Sequence, residues 1–346
     1  MPKYKSPLRT CSYLFSFTIN KLITKVHLKY CLSFLLLIAV TACSDPVKEQ
    51  IAQQSPVTAE RIEQLGRALN NSQIPNAVLI SKYADIVVKA KPSYAPLVDE
   101  FRKEATRQGP MFRSLQDRLS TTNKNPQIFA SNQALYDELI NIYQAADPLL
   151  YSDALSDPLN VLADMSDGAL PRVNSLSKSQ SQRANNAQDF GTGEQLIGNP
   201  SYGHWQTGSN GMSFWGWYGM YSMMGNLSGR RTDYNSWGRS RNYSYYNDYG
   251  RTRYSSPGQL KKQTALDNRA MKSFDNKGNK YTSAYSKNRT GSSRLSSKST
   301  IAQTNANRFK ASANNKSSYS KKSSYSQNSS FRNSNTNTSR GFTRGK

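Results

Sequence analysis

The chain has 346 residues, of which 46 are Lys or Arg and 22 are Asp or Glu, with two His and three Cys. The charge is uneven: residues 1–43 carry a net +6, residues 44–170 carry −4, and residues 171–346 carry +22. Only 36% of the residues are hydrophobic. This composition favours one small folded body with a basic second half over two globular domains.

Residues 1–42 predict a signal peptide. Residues 31–40 form an apolar run of ten, CLSFLLLIAV, preceded by Lys21, Lys25 and Lys29. As a helix, such a run spans about 15 Å, which is half of a bilayer core. A basic stretch, a short apolar run and small residues after it are typical of a secretory signal rather than of a transmembrane helix.

The next motif, Val40-Thr41-Ala42-Cys43, resembles the lipobox of bacterial lipoproteins. In that family the signal peptidase cuts before the Cys, which carries a diacylglycerol, and the new amino terminus is acylated. The resemblance implies lipidation at Cys43, and Ser44 in place of Asp implies the outer rather than the inner membrane. An ordinary signal peptide that happens to contain a Cys is the alternative. With Cys43 lipidated, the mature chain has no thiol for a disulfide, a nucleophile or zinc.

Residues 43–56 predict a polar, lipidated tether, and residues 57–170 predict a small, mainly α domain with Thr58 as its first N-cap. Apolar residues recur at helical spacing, and no stretch alternates with a period of two for long. The five apolar stripes are Ile62, Leu65 and Leu69; Leu79, Tyr83, Ile86, Val87 and Ala90; Leu97, Val98, Phe101 and Ala105; Phe112, Leu115 and Leu119; Leu135, Leu139, Ile142 and Tyr143.

An Asp-Pro-Leu motif occurs twice, at Asp147 and at Asp157. One interpretation is a site for calcium or another hard cation, but the spacing does not match a helix-loop-helix calcium loop. The favoured interpretation is helix capping. Asp accepts a hydrogen bond from an unpaired helix N–H, and Pro suits the first helical position.

No catalytic constellation is visible. His204 is the only His of the mature chain, and it has no Cys partner. Adjacent carboxylate pairs such as Asp99/Glu100 diverge on a helix, and no phosphate-binding Gly-rich loop is present. We therefore predict no cofactor and no metal, and an enzyme in the helical domain is the third and weakest hypothesis.

Residues 171–200 predict a polar linker, and residues 201–256 a Gly- and aromatic-rich segment that holds all four Trp. Trp and Tyr favour the bilayer interface, where an apolar ring and a polar edge are both satisfied. The segment therefore predicts either contact with a membrane or partner, or packing on the helical body. The residues predicted to make that contact are Phe214, Trp215, Trp217 and Tyr218.

Arginines alternate with tyrosines near the end of this segment, a pattern that can pair with phosphates and stack on nucleobases. The predicted anion-contacting residues are Arg239, Arg241, Arg251 and Arg253. Behind a lipoprotein signal, the accessible anions are lipid A phosphates, anionic phospholipid and peptidoglycan carboxylates. Nucleic acid is accessible only outside the cell.

Residues 257–346 predict a disordered basic tail. Their only branched aliphatic residues are Leu260, Leu266, Leu295 and Ile301, too few to offset chain entropy by burial. No acidic residue follows Asp275, whereas 15 basic residues do.

Three short motifs accompany the lipobox: Ser213-Phe214-Trp215, Met223-Met224-Gly225 and Arg340-Gly341-Phe342. Together they resemble the YgiB-type lipoproteins of enterobacteria, over about 30 residues in pieces. The chain departs from that family in its Tyr/Arg region and in lacking the cysteines of its N-terminal domain. Because that family has no established activity, the resemblance implies only localisation and architecture.

The sequence as a whole predicts a non-enzymatic outer-membrane lipoprotein. Its basic tail would tether anionic envelope components, namely peptidoglycan or the phosphates of lipid A or phospholipid. The alternative is a surface-exposed matrix protein that binds extracellular DNA through the Tyr/Arg region. We expect the protein to contact the membrane through lipid at Cys43. The sequence does not indicate whether the tail is periplasmic or surface-exposed, and it does not indicate a protein partner.

Overall fold

The computed structural model describes residues 45–228, 231–281 and 297–315. The described part of the chain is mainly helical, with one two-stranded antiparallel sheet. The predicted signal peptide and Cys43 lie outside the described residues, as do residues 316–346 of the predicted tail. None of the described helices is both long enough and apolar enough to span a bilayer.

Seven helices form the helical body. They are α1 Pro46–Asn70, α2 Pro75–Ala90, α3 Ala95–Lys103, α4 Pro110–Lys124, α5 Asn132–Ala145, α6 Pro148–Ala154 and α7 Ser156–Met165. Helix α1 packs along α4 and α5, and α2 packs against α3 and α7. Each apolar stripe predicted from the sequence contributes to this core: Leu65, Val87, Phe101, Phe112 and Leu139 are at most 1% exposed. The second predicted stripe is too wide, because Ile86 and Ala90 are exposed. Burial of these side chains stabilises the body by about 2 kcal/mol each.

The predicted tether over residues 43–56 is wrong, because α1 begins at Pro46. Asp45 is its N-cap, accepting a hydrogen bond from the N–H of Val47 at 3.0 Å. Pro56 lies inside the helix, which continues past it because both of its flanks pack on α5. Thr58 is not an N-cap; its buried hydroxyl donates to the carbonyl of Leu139 at 3.3 Å.

The second half of the described chain contains a β-hairpin and five further helices. They are α8 Lys178–Asn185, β1 Gly203–Thr207, β2 Ser213–Trp217, α9 Ser222–Ser228, α10 Tyr234–Ser240, α11 Pro257–Asp275 and α12 Ser297–Asn315, with a π-helical turn at Tyr246–Gly250. Residues 171–200 are not a loose linker. Arg172, which is 7% exposed, pairs with Asp164 at 2.6 Å and with Glu194 at 3.4 Å, tying this stretch to α7.

The prediction of disorder is wrong for α11 and α12. Helix α11 begins with a capping box at Ser256 and is held by polar side chains. Gln263 donates to the carbonyl of Gly198 at 2.9 Å, and Asp267 accepts from the hydroxyl of Tyr234 at 3.0 Å. Few aliphatic residues suffice because hydrogen bonds satisfy the polar groups that these helices bury.

Helix α12 docks on the helical body in the same way. Gln144 donates to the carbonyl of Ala306 at 2.8 Å, and Arg253 donates to Asn307 at 3.2 Å. Phe309 stacks on Tyr143 with ring centroids 5.2 Å apart. These contacts place α12 against α5 and α6 although it follows them by about 150 residues in sequence.

The two Asp-Pro-Leu motifs have different roles. Asp147 is the N-cap of α6 and accepts from the N–H groups of Leu149 and Leu150, which confirms the capping prediction. Asp157 does not cap its own helix. It is fully buried and accepts from the backbone N–H of Tyr245 at 2.7 Å and of Tyr246 at 2.8 Å. It thus caps the helical turn that begins 88 residues later in the chain.

Candidate functional site: an aromatic groove on the hairpin

The hairpin carries the tryptophans on one face. Strands β1 and β2 pair in an antiparallel register that sets Trp205 opposite Trp215 and Gly203 opposite Trp217. Because side chains alternate along a strand, these three indoles share one face of the hairpin. Residues of α10 cover that face. The resulting aromatic cluster consists of Trp205, Trp215, Trp217, Tyr234 and Trp237, with neighbouring ring centroids 4.9–5.9 Å apart.

An open groove runs along the second edge of β2. There the N–H of Trp215 donates to the carbonyl of Thr232 at 2.9 Å, and Phe214 forms a bridge with Asp233. The groove has a volume of about 500 Å³, within the range of small-molecule sites. Its lining residues are Phe214, Trp215, Trp217, Gly225, Asn226, Arg231 and Thr232.

Arg231 supplies the charge of this groove. Its guanidinium lies over the ring of Phe214, 3.4 Å from the centroid, and the residue is exposed. Among the described residues no carboxylate pairs with it. Stacking of this kind uses the face of the guanidinium and leaves its N–H edge able to donate.

A second hollow, of about 430 Å³, is different in charge. It is lined by residues at the ends of α1 and α3 and by the loop before α4. Its three cations are all paired: Arg102 with Asp85, Lys103 with Glu100, and Arg107 with Glu63. Since these pairs satisfy the cations internally, the aromatic groove is the better candidate for an anionic ligand.

The predicted contact residues do not form one exposed surface. Tyr218 is 44% exposed and stacks on His204, with ring centroids 5.2 Å apart. Phe214 and Trp217 are half-buried and line the groove, whereas Trp215 is only 5% exposed. Trp217 and Tyr218 are therefore accessible to a partner, the ring of Phe214 is covered by Arg231, and Trp215 belongs to the core beneath them.

The prediction that four arginines contact anions is wrong for three of them. Arg241 is buried and pairs with Asp248. Arg251 donates to Gln263 at 2.8 Å, and Arg253 donates to Asn307. Only Arg239 is exposed, with its guanidinium 5.0 Å from the ring centroid of Phe274.

Four tyrosines of the same region are also buried, whereas Tyr249 is half-buried. Tyr243, Tyr245, Tyr246 and Tyr254 are at most 4% exposed and belong to the core that they share with the helical body. Their rings are therefore not available to stack on nucleobases. The sequence alone does not single out Arg231, which is the second of two adjacent arginines that follow the uncharged aromatic stretch.

A buried carboxyl group lies where the hairpin segment meets the body. Glu104 follows α3 and is fully buried; burial raises its pKa to about 7, against the lowering effect of a hydrogen bond from the N–H of Met111. Burial first, and then the charge of Glu104, raises the pKa of Tyr151, Tyr202 and Tyr221. Because Tyr202 precedes β1 and Tyr221 follows β2, this cluster ties the hairpin to α3 and α6.

The described residues contain no group of three or more His, Cys, Asp or Glu able to hold a metal ion. Comparison with protein-family models, with curated proteins and with solved structures found no match.

Proposed function

We propose that the protein is a non-enzymatic lipoprotein of the bacterial outer membrane that tethers anionic envelope components. Lipid at Cys43 would hold one end in the membrane, and basic residues near the other end would bind peptidoglycan or the phosphates of lipid A or phospholipid. The observation that carries this proposal is the distribution of charge. All 22 acidic residues lie at or before Asp275, and 15 Lys and Arg follow it.

Helix α12 supports the proposal because it belongs to this basic region and contains no acidic residue. Lys298 and Arg308 are exposed on it, while Lys310 donates to Asn141 at 3.1 Å. Its docking holds two free cations at the surface of the body. Many weak contacts of this kind add up through effective concentration and weaken together as salt screens them.

The aromatic groove supports binding as the function. It combines a concave surface, aromatic walls and an unpaired arginine, which are features of a ligand site. None of its lining residues belongs to α12, so that the protein would hold its ligand at two places. The alternative, binding of extracellular DNA through the Tyr/Arg region, is weakened by the burial of those tyrosines. No observation favours an enzyme.

The test is co-sedimentation of the full chain, purified in detergent, with isolated sacculi and with anionic vesicles. We expect binding at low salt that falls steeply as salt is raised. A tail variant replaces five basic residues by Gln: Lys316, Lys321, Lys322, Arg332 and Arg340. A matched control makes the same change at five exposed cations of the body: Lys48, Lys82, Lys89, Arg113 and Lys124.

The proposal predicts that the tail variant binds at least about tenfold more weakly and that the matched control binds nearly as wild type. Equal loss in both variants would show that net charge, not the tail, determines binding. A wild-type chain that stays in the supernatant with both targets at low salt contradicts the proposal. Protease treatment of intact cells then separates a periplasmic tail from a surface-exposed one, which the DNA-binding alternative requires.

A further inference from the structure

We infer that the aromatic groove binds an anionic sugar unit, a ring that carries a carboxylate or a phosphate, with the anion at Arg231 and the ring against Trp217. This inference rests on the proposed function and names the ligand chemistry of one of its sites. Two envelope sources offer that chemistry: the lactyl carboxylate of muramic acid in peptidoglycan, and the phosphorylated glucosamine of lipid A.

The charge of the groove selects an anion. The face of the Arg231 guanidinium is occupied by Phe214, and a Cβ at Gly208 would lie 3.3 Å from its Nη2, so the group is held against the hairpin loop. It has no carboxylate partner among the described residues. A planar guanidinium held in this way can donate two parallel hydrogen bonds to a carboxylate or a phosphate.

The aromatic walls of the groove favour a ligand with a single ring over single-stranded nucleic acid. The ring of Phe214 is covered by Arg231, and Trp215 is 5% exposed because it packs edge-to-face against Trp205 and Trp217. Trp217 is then the remaining half-exposed ring of the groove. Binding of single-stranded nucleic acid uses successive stacking platforms, which this groove lacks.

The polar groups of the groove complete the match to a sugar. Asn226 is exposed at the rim, and its amide can both donate to and accept from a hydroxyl group. An apolar ring face, one fixed cation and one amide are complementary to a pyranose with an acidic substituent. The volume of about 500 Å³ accommodates a sugar unit within a longer strand that leaves through the open side.

The experiment is isothermal titration calorimetry with the full chain in detergent. The probes are the disaccharide of N-acetylglucosamine and N-acetylmuramic acid, glucosamine 1-phosphate, neutral chitobiose and an oligothymidylate. We expect one or both anionic sugars to bind and chitobiose to bind at least about tenfold more weakly. Whichever anionic probe binds more tightly identifies the source.

Two variants locate the site. Arg231→Ala should weaken binding of the anionic sugar about tenfold or more, since it removes a charge-assisted pair. Arg239→Ala is the matched control, because it removes another exposed arginine that lies over a phenylalanine, and it should change binding less than about twofold. Neither residue is buried, so both variants should fold.

The inference is overturned if no anionic sugar binds, if chitobiose binds equally well, if oligothymidylate binds more tightly, or if the two arginine variants lose affinity equally. Its failure is separable from that of the proposed function. Loss of groove binding while sacculi still sediment the wild-type chain, but not the tail variant, would remove only the inference. Loss of both would remove both.

Discussion

Glu104 makes the stability of the folded protein depend on pH in an unusual direction. Its carboxyl group titrates near pKa 4.5 when unfolded and at about 7 when folded, because burial penalises the charged form. Between these two pH values the folded protein therefore holds a proton that the unfolded chain has released. The free energy of unfolding must fall as pH rises from about 4.5 to 7 and level off above 7, with a total loss of about 3 kcal/mol from this group.

Replacing Glu104 by Gln removes this titration and keeps the size of the side chain. The amide can still accept from the N–H of Met111, and its NH2 group replaces Oε1, which has no hydrogen-bond partner among the described residues. At pH 4 we expect Glu104→Gln to be about as stable as wild type. At pH 8 it should be more stable by about 3 kcal/mol, since wild type must then carry a buried charge.

The assay is urea unfolding of the full chain, followed by tryptophan fluorescence, at pH values from 4 to 8. The matched control is Glu60→Gln at an exposed position, where a hydrogen bond from Arg67 lowers the pKa of the carboxyl group, so that its titration changes stability in the opposite direction to that of Glu104. Asp157, whose pKa burial raises to about 7, contributes a slope of the same sign that remains in both variants. A Glu104→Gln variant with the same pH profile as wild type would refute the reasoning.

Three further predictions concern stability and use the same urea assay. Arg118→Ala should lower the free energy of unfolding by about 3–5 kcal/mol because it leaves the buried Glu138 unpaired. The exposed control, Arg67→Ala, should lower it by less than about 1 kcal/mol. Equal losses in the two variants would contradict the importance of burial. Asp157→Ala should lower the free energy of unfolding by about 2–4 kcal/mol, because it leaves the buried N–H groups of Tyr245 and Tyr246 without an acceptor. An unchanged stability would mean that these two hydrogen bonds are not needed. Gly198→Ala should lower the free energy of unfolding by at least about 1 kcal/mol, because φ at this position is +90° and a Cβ would meet Asn247 and Trp237. The control, Gly258→Ala in the first turn of α11, should be neutral or stabilising.

The helical body could be predicted from the sequence because its signals are local. The stripes of α2, α3 and α5 repeat at 3.6-residue spacing, and each buries one face against a neighbour. Asp147 is likewise recognisable, since an N-cap and the Pro after it lie side by side in the chain. Such features need no knowledge of the partner element.

The second half could not be predicted because its stabilising contacts are long-range and polar. Gln263 bonds to Gly198, which is 65 residues away, and Asp157 bonds to Tyr245, which is 88 residues away. Neither contact leaves a periodic pattern, so a stretch poor in aliphatic residues was predicted to be disordered. Arg253 has the appearance of a surface cation for the same reason, because its partner Asn307 is 54 residues away and becomes a neighbour only in the fold.

The arrangement of groove and charge also explains why composition alone misleads here. A run of Arg and Tyr has the composition of a nucleic-acid-binding segment, yet packing turns the tyrosines inward and pairs most of the arginines. Among the described arginines of this region, Arg231 in the groove and Arg239 remain exposed. The proposed ligand is therefore one with separated anionic groups rather than a continuous polyphosphate.

The central claim is that the chain is anchored in the envelope through lipid at Cys43. The most direct measurement is labelling with a palmitate analogue in a Gram-negative host, comparing wild type with Cys43→Ala and with the control Cys31→Ala in the predicted signal peptide. The account predicts label on wild type and on Cys31→Ala, both in the outer-membrane fraction, and none on Cys43→Ala. A wild-type chain without label, or label retained in Cys43→Ala, would contradict it.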